Sequence, residues 1–394
     1  MTDPRSVGLI LVLGAAAVAL YAYIAYPLLL RLGTLGRARR PSVRPEQWPL
    51  ISITVPAYNE ETTLAVTLEQ ILAADYPADR RQVLVVSDAS TDRTDDIARR
   101  FAPHGVELVR LARRAGKTAA ENAARPHLRG AFVVQTDASV HIDPGALKAL
   151  IAAFSDATVG VASGRDVSVA AGATDNGGGE SGYVGYEMWV RDMETRGGGI
   201  VGASGCLYAS RRALHMEAVP EGLSRDFAAA LIAREHGFRS VSVMDAVCYV
   251  PRTTSLQQEY RRKIRTMTRG LQTLFYKRHL LNPIRYGGFG FMLLSHKLIR
   301  WLVPWAAIVA IVGFGVAAIG GARWGAIGVI ATGAAVVAAV VAWRWPQARP
   351  LPRVLGVPAY LVWAVLAGLQ AWVNALRGEV RPVWEPTRRR PLSD

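Results

Sequence analysis

Short apolar runs alternate with amphipathic stretches from residue 50 to residue 136. The apolar runs have the length of buried strands and are bounded by turn residues, whereas the stretches between them repeat apolar residues with helical periodicity. This alternation is typical of a mainly parallel sheet whose connections wind in the right-handed sense. We therefore expect an α/β domain with strands at residues 50–55, 83–87, 106–111 and 132–136.

The segment after the first predicted strand contains the start of a helix. Asn59 is a favourable N-cap, and Glu60 and Glu61 would complement the positive end of the helix dipole. Apolar residues at helical spacing predict one buried face, formed by Leu64, Leu68, Ile71 and Leu72. No Gly-x-Gly-x-x-Gly follows the strand, so a dinucleotide-binding fold of the dehydrogenase type is disfavoured.

Acidic residues follow two of the predicted strands. Asp88 comes directly after the strand at 83–87, and Asp137 directly after the strand at 132–136. Ligands of an open parallel sheet bind outside the carboxyl ends of its strands, so both carboxylates are placed to contact a ligand. Either residue alone is more often a turn former or a helix cap. Their repetition at one edge favours a binding site.

A nucleoside-diphosphate sugar would use such groups in distinct ways. Its diphosphate needs a hard divalent cation, for which the carboxylate of Asp137 is a suitable ligand. Asp88 and the loop at 56–60 would bind the base and ribose, and Lys117 adds a compact positive charge at a predicted helix start. Asp226 would accept the proton of a hydroxyl that attacks the sugar. Its alternative role is to cap the helix predicted at 228–235.

Long apolar runs predict membrane-spanning helices. The chain has 394 residues, of which 51% are hydrophobic, and the run at 7–30 contains no charged residue. About 20 such residues cross a bilayer, and the runs at 298–319, 324–343 and 355–376 are also long enough. A cleavable signal peptide is the alternative for the first run, which is long for one. Arginines at positions 31, 37, 39 and 40 place the following domain in the cytoplasm by the positive-inside rule.

The segment at 256–275 predicts a two-faced helix. Its apolar residues, Tyr260 among them, occupy an arc of about 100° on a helical wheel, and opposite them lie Arg261, Arg262, Arg265 and Arg269. The apolar side would lie in the membrane interface, with the arginines towards the cytosolic domain or the lipid headgroups. An ordinary packed helix with a solvated basic face is the alternative.

The net charge of +15 is compatible with nucleic acid, an anionic membrane or a phosphate-bearing substrate. The basic residues cluster beside the apolar runs and lack interleaved aromatic residues, which disfavours nucleic acid. Cys206 and Cys248 are too few for a disulfide framework, so we expect both to be small buried hydrophobic residues on a reducing cytosolic face.

These features divide the chain into six predicted segments. They are an N-terminal transmembrane helix at 1–30, a linker at 31–49, a cytosolic α/β domain at 50–252, amphipathic interfacial helices at 253–297, transmembrane helices at 298–376 and a basic tail at 377–394. A glycine-rich loop is expected at 170–182, and a further strand at 206–208. Four spans would leave the basic tail outside, against the positive-inside rule, so either one run is re-entrant or the tail is an exception.

Five motifs in this order resemble those of membrane-bound family 2 glycosyltransferases, over about residues 51–270. They are Val55-Pro56-Ala57-Tyr58-Asn59-Glu60, Ser87-Asp88-Ala89-Ser90-Thr91-Asp92, Gly116-Lys117-Thr118-Ala119-Ala120-Glu121-Asn122, Thr136-Asp137-Ala138-Ser139 and Gly202-Ala203-Ser204-Gly205-Cys206-Leu207-Tyr208-Ala209-Ser210-Arg211-Arg212. The resemblance implies a GT-A fold, which is α/β and Rossmann-like with a mainly parallel sheet, together with transmembrane helices. It also implies an inverting single displacement from a nucleotide sugar, usually of uridine, with Mg²⁺ or Mn²⁺.

The resemblance assigns roles to individual residues. Asp88 would contact the base, Asp137 the metal and the diphosphate, and Asp226 would be the general base. Ser139 stands in place of the second acid of the usual Asp-x-Asp and is the other expected metal ligand. The remaining residues expected to bind the nucleotide sugar are Pro56, Ala57, Asn59, Glu60, Lys117, Arg262 and Arg265.

The chain departs from the family pattern in ways that bear on its product. Arg225-Asp226 has one carboxylate where the family has an acidic pair, and Arg-Arg-Lys-x-Arg at 261–265 replaces Gln-x-x-Arg-Trp. The missing tryptophan favours one or a few additions over a long polymer. The leading hypothesis is a cytoplasm-facing glycosyltransferase of the bacterial inner membrane that adds a sugar to a lipid-linked or polysaccharide acceptor. The alternatives are a processive synthase that translocates its product, and a non-catalytic nucleotide-sugar sensor or scaffold. The tail at 384–388 could fold back over the site.

Overall fold

A computed structural model describes residues 3–38, 42–169, 178–251, 256–346, 351–379 and 383. The chain forms two compact units. The sheet unit comprises Thr34–Arg252 and Gln272–Lys277, and the helical unit comprises Met1–Gly33, Thr253–Leu271 and Arg278–Glu379. The tail at 384–388 and positions 170–177 of the expected glycine-rich loop lie outside the described residues.

One mixed sheet of eight strands organises the sheet unit. The strands are β1 Ile51–Ala57, β2 Arg81–Ser87, β3 Val106–Arg110, β4 Phe132–Thr136, β5 His141–Ile142, β6 Val159–Val169, β7 Leu207–Arg211 and β8 Arg239–Pro251. Their order across the sheet is β3-β2-β1-β4-β7-β6-β8-β5. The four strands predicted from the alternating pattern are β1 to β4, and their ends lie within two residues of the predicted ends.

The first half of the sheet is parallel, as predicted. Ile51 of β1 pairs with Arg81 of β2 and with Phe132 of β4, and β3 is parallel to β2. At the other end of the strands Ala57 pairs with Ser87. Strands β1 and β2 therefore end at the same level, so the loops that follow them leave the sheet side by side.

The second half of the sheet contains strands that the sequence patterns did not predict. Strand β7 is antiparallel to both β4 and β6, whereas the long strands β6 and β8 are parallel to each other. Strand β5 is antiparallel to β8 at the edge. Polar and charged residues such as Asp166 in β6 and Asp245 in β8 interrupt the apolar runs, which explains why the patterns missed these strands. The strand expected at 206–208 is β7.

Both units contain α-helices among the described residues. They are α1 Pro4–Leu20, α2 Tyr26–Gly33, α3 Leu64–Ala73, α4 Thr94–Arg100, α5 Lys117–Ala124, α6 Ala146–Ala152, α7 Gly178–Gly197, α8 Arg212–His215, α9 Arg225–Glu235, α10 Leu256–Tyr276, α11 Pro283–Leu293, α12 Arg300–Ile319, α13 Arg323–Trp343 and α14 Arg353–Leu376. Because α7 begins at Gly178, the expectation of a loop was wrong for residues 178–182.

The first helix of the sheet unit starts later than predicted. Helix α3 begins at Leu64 with Thr63 at its N-cap position, and not at Glu60. Asn59 has a left-handed backbone with a φ of 53°, and its side chain contacts the loop after β2 in place of a helix end. The predicted face is nevertheless buried, through Leu64, Leu68 and Ile71.

Alternate residues of β2 bury two different helical layers, as the two-residue period of a strand requires. Val83 and Val85 join the core cluster that contains α3, α4 and α6. Leu84 and Val86 join a smaller cluster with Ala120 of α5. Helix α5 is thus packed on its own face of the sheet, with its first residue, Lys117, towards the carboxyl edge.

Among the described residues of the helical unit, four segments are long and apolar enough to cross a membrane. They are Pro4–Gly33, Pro283–Ile319, Arg323–Trp343 and Arg353–Leu376, and they contain the four apolar runs predicted from sequence. The second segment starts earlier than predicted and is kinked at Gly287. A Cβ at Gly8 of α1 would lie 2.6 Å from the carbonyl oxygen of Gly313 in α12, so glycine permits close helix packing here. These segments indicate a membrane protein.

Helix α10 covers the predicted two-faced segment. The hydroxyl of Tyr260, which lies on the predicted apolar face, is 2.8 Å from Oε1 of Gln370 in α14. The Tyr260 ring also packs edge-on against Trp363, with 5.3 Å between the ring centroids. At this position the apolar face of α10 is therefore in contact with protein.

Candidate functional site

Hydrogen bonds join the loops that follow β1 and β2. The backbone N–H of Asn59 donates to Oγ of Ser90 at 3.2 Å, and the backbone N–H of Thr91 donates to Oδ1 of Asn59 at 2.8 Å. Asn59 and Ala89 both have left-handed backbones, with φ of 53° and 55°. Residues other than glycine rarely adopt this conformation, and it is concentrated at ligand and active sites. The carboxyl edge of these strands is therefore a candidate site with its loops already ordered.

The other residues predicted in the first loop are buried in the sheet or bonded to neighbouring residues. Pro56 and Ala57 are the last residues of β1, and both are buried. The backbone N–H of Glu60 donates to Oγ1 of Thr94 at 2.8 Å, and Oε2 of Glu60 accepts from Oγ1 of Thr63 at 2.7 Å. Contact of these residues with a nucleotide stays a prediction.

Asp88 is fully buried after β2, and its carboxylate holds the loop before α5. Its Oδ1 accepts from the N–H of Ala115 at 2.7 Å, and its Oδ2 accepts from the N–H of Gly116 at 2.8 Å. Such charge-assisted bonds are strong, and a negative charge is favoured beside a helix N-terminus. Asp88 therefore fixes the point at which Lys117 begins α5. Its predicted contact with the base stays a prediction.

Lys117 connects the end of β4 to the glycine-rich segment before β7. Its Nζ donates to Oδ1 of Asp137 at 2.5 Å and to the carbonyl oxygen of Gly205 at 2.9 Å. Burial disfavours the charged ammonium, but nearby carboxylates outweigh this cost and raise the pKa of Lys117 above its ordinary value, in the order Asp137, Glu121 and Asp226. Lys117 therefore stays protonated and supplies a fixed positive charge.

Asp226 reaches the same place from α9. Ser224 holds the N-cap position of that helix and donates its hydroxyl to Oδ1 of Asp226 at 2.5 Å, so Asp226 is not the N-cap. On the other side, a Cβ at Gly205 would lie 2.8 Å from Oδ2 of Asp226. Gly205 thus accepts a hydrogen bond from Lys117 through its carbonyl, and the Asp226 carboxylate lies beside the space that a Cβ of this residue would occupy. The structure brings Lys117, Asp137 and Asp226 together around one glycine.

Glu121 also belongs to this cluster, although we did not predict it as a site residue. It lies one turn after Lys117 on α5 and is 1% exposed. Its Oε2 is 3.9 Å from Nε of Arg225 and has no hydrogen-bond partner among the described residues. Burial raises the pKa of Glu121 to about 7, against the attraction of Lys117 and Arg225. Glu121 could have been predicted from its spacing, because a glutamate four residues after a lysine lies on the same face of a helix.

Arg225, which precedes Asp226, points into the protein and is 4% exposed. Its guanidinium donates to Oδ1 of Asn122 at 2.8 Å, to the carbonyl oxygen of Glu217 at 3.3 Å and to the carbonyl oxygen of His215. The arginine therefore joins the start of α9 to α5.

The predicted metal ligands are compatible with a cation that arrives with its substrate. The described residues contain no group of three or more His, Cys, Asp or Glu that could hold a metal ion. Asp137 and Ser139 lie in the turn after β4, and Oδ1 of Asp137 already accepts from Lys117. A hard cation takes six or more oxygen ligands. Oδ2 of Asp137 and the Ser139 hydroxyl would supply two, and a diphosphate and water would supply the others.

The two cysteines differ in burial. Cys248 is buried, and its thiol donates to Oδ1 of Asp166 at 3.2 Å, whereas Cys206 is only partly buried. The expectation of two buried cysteines was therefore wrong for Cys206, because this residue lies in the segment that leads from Gly205 to β7. Asp166 also accepts from the Ser204 hydroxyl at 2.6 Å, and burial raises its pKa.

Arg262 and Arg265, also predicted to bind the nucleotide sugar, lie on α10 in the helical unit. Nε of Arg262 donates to Oε2 of Glu259 at 2.9 Å. Contact of either arginine with a nucleotide sugar stays a prediction.

Comparison with known proteins points to one family. Residues 52–216 match the family model for glycosyl transferase family 2. The beta-monoglucosyldiacylglycerol synthase of Synechocystis sp. is 31% identical over 117 residues, which cover 29% of this chain and 24% of the relative. The dodecaprenyl-phosphate galacturonate synthase of Rhizobium johnstonii is 31% identical over 106 residues, which cover 26% of this chain and 31% of the relative. The chain thus spans about a quarter to a third of these relatives. Residues 52–216 are therefore similar to family 2 glycosyltransferases.

A solved structure resembles the chain over most of its length. The mannosyltransferase PcManGT from Pyrobaculum calidifontis, in complex with GDP-Man and Mn²⁺, superposes with a TM-score of 0.73 at 23% sequence identity and covers 95% of this chain and 99% of its own. The predicted fold class is confirmed: the chain has a GT-A fold with mostly parallel strands, together with apolar helices that are long enough to span a membrane.

Proposed function

We propose that the protein is an inverting glycosyltransferase that moves a sugar from a nucleoside-diphosphate sugar, expected to be UDP-linked, to a lipid-linked or polysaccharide acceptor at the cytoplasmic face of the bacterial inner membrane. The observation that carries this proposal is the convergence of Lys117, Asp137 and Asp226 around Gly205. These residues come from three separate segments of the chain. Together they provide groups for a diphosphate and a separate carboxylate for an acceptor.

The diphosphate would bind beside Lys117 and Asp137. Lys117 keeps its positive charge because its neighbours raise its pKa, and a fixed cation stabilises charge that develops on a leaving diphosphate. Mg²⁺ or Mn²⁺, when bound, would supply further positive charge to the same oxygens. Asp137 would hold the cation through Oδ2, with Ser139 as a weaker ligand. Asp88 would contribute by fixing the start of α5.

Asp226 would act as the general base of the transfer. Its Oδ1 is oriented by the Ser224 hydroxyl, which leaves Oδ2 on the side of Gly205. In an inverting displacement the acceptor oxygen attacks the anomeric carbon from the side opposite the diphosphate. The acceptor proton would pass to Asp226 as the new bond forms. Glycine at position 205 gives the carboxylate the room that this position requires.

The membrane segments and the relatives support a lipid-linked acceptor. Four segments are long and apolar enough to cross a membrane, and the names of two relatives refer to a diacylglycerol and to a dodecaprenyl phosphate. The absence of tryptophan from the Arg-Arg-Lys-x-Arg segment at 261–265 supports addition of one or a few sugars. Arg262 and Arg265 of that segment would contact the donor.

A donor panel tests this function. Membranes that contain the full chain would be incubated with radiolabelled sugar nucleotides of uridine and guanosine, and labelled products would be separated by size and by solubility in organic solvent. We expect label from one donor in short, lipid-extractable or polymer-attached products, and none with membranes that lack the chain. Long labelled polymer would favour a processive synthase. Binding of a donor without any transfer would favour a sensor.

A further inference from the structure

We propose that Glu121 is a positioning residue of the transfer site and that its ionisation controls how readily Asp226 accepts the acceptor proton. This inference rests on the proposed function. The sequence motif around Lys117 contains Glu121, but no role follows for it from that motif. The position of Glu121 beside Lys117, Asp137 and Asp226 suggests a role.

The geometry connects Glu121 to Asp226 through the intervening arginine. Oε2 of Glu121 lies 3.9 Å from Nε of Arg225, and the next residue in the chain is Asp226. The side chains of Glu121 and Arg225 are 1% and 4% exposed, so water does not screen their attraction. Asn122 holds the same guanidinium at 2.8 Å. Two neighbouring residues of α5 thus set the start of α9 and with it the place of the Asp226 carboxylate.

Charged and titratable groups from several elements face Glu121. They are Lys117 on the same helix, Asp137 after β4, Tyr208 on β7, and Arg225 and Asp226 on α9. Burial raises the pKa of Tyr208 far above its usual value, so its hydroxyl stays neutral. His215, beside Arg225, also stays neutral because burial and then the charges of Arg225 and Arg125 lower its pKa well below its usual value. Burial raises the pKa of Glu121 to about 7, so this residue changes charge near neutral pH.

The charge balance gives Glu121 its effect on the reaction. The carboxylates of Asp137, Asp226 and Glu121 face the two cations Lys117 and Arg225, so full ionisation leaves one negative charge in excess. During transfer the acceptor O–H bond breaks and its proton goes to Asp226, while the acceptor oxygen bonds to the anomeric carbon and the diphosphate leaves with the electron pair. This proton removes the excess charge. Ionised Glu121 therefore favours proton transfer to Asp226, because it repels that carboxylate's charge.

The pH dependence of transfer by Glu121→Gln tests this role. The full chain, in detergent or nanodiscs, would be assayed from acidic to alkaline pH with the donor found in the panel and a lipid extract that contains the acceptor. For the wild type, kcat/KM should rise with pH through a midpoint near 7. For E121Q we expect this rise to be absent and kcat at alkaline pH to fall by about tenfold. The KM for the donor should stay within about twofold, since Glu121 is buried and is not itself one of the predicted donor contacts.

Glu107→Gln is the matched control. Glu107 also pairs with an arginine, Arg129, but it lies on β3 with 37% of its side chain exposed. We expect the wild-type pH profile from this variant. A wild-type profile from E121Q would overturn the inference while leaving the proposed function intact. A wild type that transfers no sugar from any donor would overturn both.

Glu121→Asp covers the case in which E121Q does not fold. It keeps the carboxyl group but moves it away from Arg225 by one methylene. We expect an active enzyme whose acid-side midpoint is displaced from that of the wild type. An unchanged midpoint would overturn the inference, because it would show that the ionisation of residue 121 does not determine the pH dependence of transfer.

Discussion

The ammonium of Lys117 and Oδ1 of Asp137 are 2.5 Å apart, so the carboxylate predicted to bind a divalent metal already binds a cation of the protein. A metal ion at Asp137 would lie close to this ammonium and be repelled by it. The negative charges of a diphosphate would offset that repulsion. The Lys117–Asp137 pair therefore favours binding of the metal together with the donor over binding of the metal alone.

Metal affinity should depend on nucleotide. Titration of the full chain with Mn²⁺, followed by calorimetry, should give weak binding without nucleotide and at least about tenfold tighter binding with the UDP or GDP that the donor panel selects. Lys117→Met should strengthen binding of Mn²⁺ alone, because Oδ1 of Asp137 is released, and should weaken binding of the nucleotide. Lys148→Met is the control, since Lys148 pairs with Asp75 at the same distance of 2.5 Å outside the site. Equal Mn²⁺ affinity in wild type and Lys117→Met would contradict the expected competition.

Gly205→Ala should impair transfer without unfolding the protein. The added Cβ would lie 2.8 Å from Oδ2 of Asp226, so the carboxylate must move. Misplacement of a reacting group by about 1 Å costs on the order of 100-fold in rate. We expect a loss of kcat of that size, measured with saturating donor. Gly185→Ala in α7 is the control, because nothing lies within 4 Å of its Cβ position. Full activity of Gly205→Ala would show that Asp226 is not held where the structure has it.

The parallel half of the fold was predictable because its signals are local. Strands β1 to β4 are buried apolar runs, and Asp88 and Asp137 follow two of them directly. The mixed half was not predictable from such patterns, because β6 and β8 contain charged residues and pair across long stretches of chain. The direction of β7 depends on its pairing with β4 and β6, and the periodicity of a sequence does not indicate the direction of a strand.

The free energy of unfolding should fall as pH rises from about 4.5 to about 7, through the titration of Glu121. Burial raises its pKa in the folded chain from 4.5 to about 7, so the folded state holds a proton that the unfolded state has released. The unfolded state then binds fewer protons, and stability decreases with pH across this window, by on the order of 1–3 kcal/mol. Thermal unfolding of the detergent-solubilised chain at pH 5 and pH 8 measures the difference. Glu121→Gln should reduce it, and an unchanged difference in this variant would exclude Glu121 as its source.

Asp88→Asn should loosen the loop before α5. Both oxygens of Asp88 accept from backbone N–H groups, so the amide nitrogen of asparagine would face one of these donors. A buried donor left without an acceptor costs about 1–3 kcal/mol. Hydrogen–deuterium exchange of residues 113–118 should become faster, and donor affinity should fall because Lys117 begins α5 there. Asp96→Asn is the control, since its side chain is 71% exposed. Slow exchange in Asp88→Asn would contradict the positioning role.

The motifs predicted some residues of the candidate site but not all of them. Lys117, Asp137 and Asp226 were predicted from residue type and position, and the structure places them around Gly205. Glu121 was not predicted, because a glutamate on a short helix is usually solvated and its burial depends on how α5 and α9 pack. The role of Ser224 as N-cap was missed for a related reason, since Asp226 was an equally suitable cap by sequence.

Transfer by Asp226→Asn, measured in a single turnover with donor already bound, tests the central claim that this carboxylate is the general base. Loss of a positioned base lowers the rate by about 10²- to 10⁴-fold, and we expect a loss in that range with donor affinity within about twofold of the wild type. Asp96→Asn should transfer at the wild-type rate. Transfer by Asp226→Asn at the wild-type rate would contradict the account of this site.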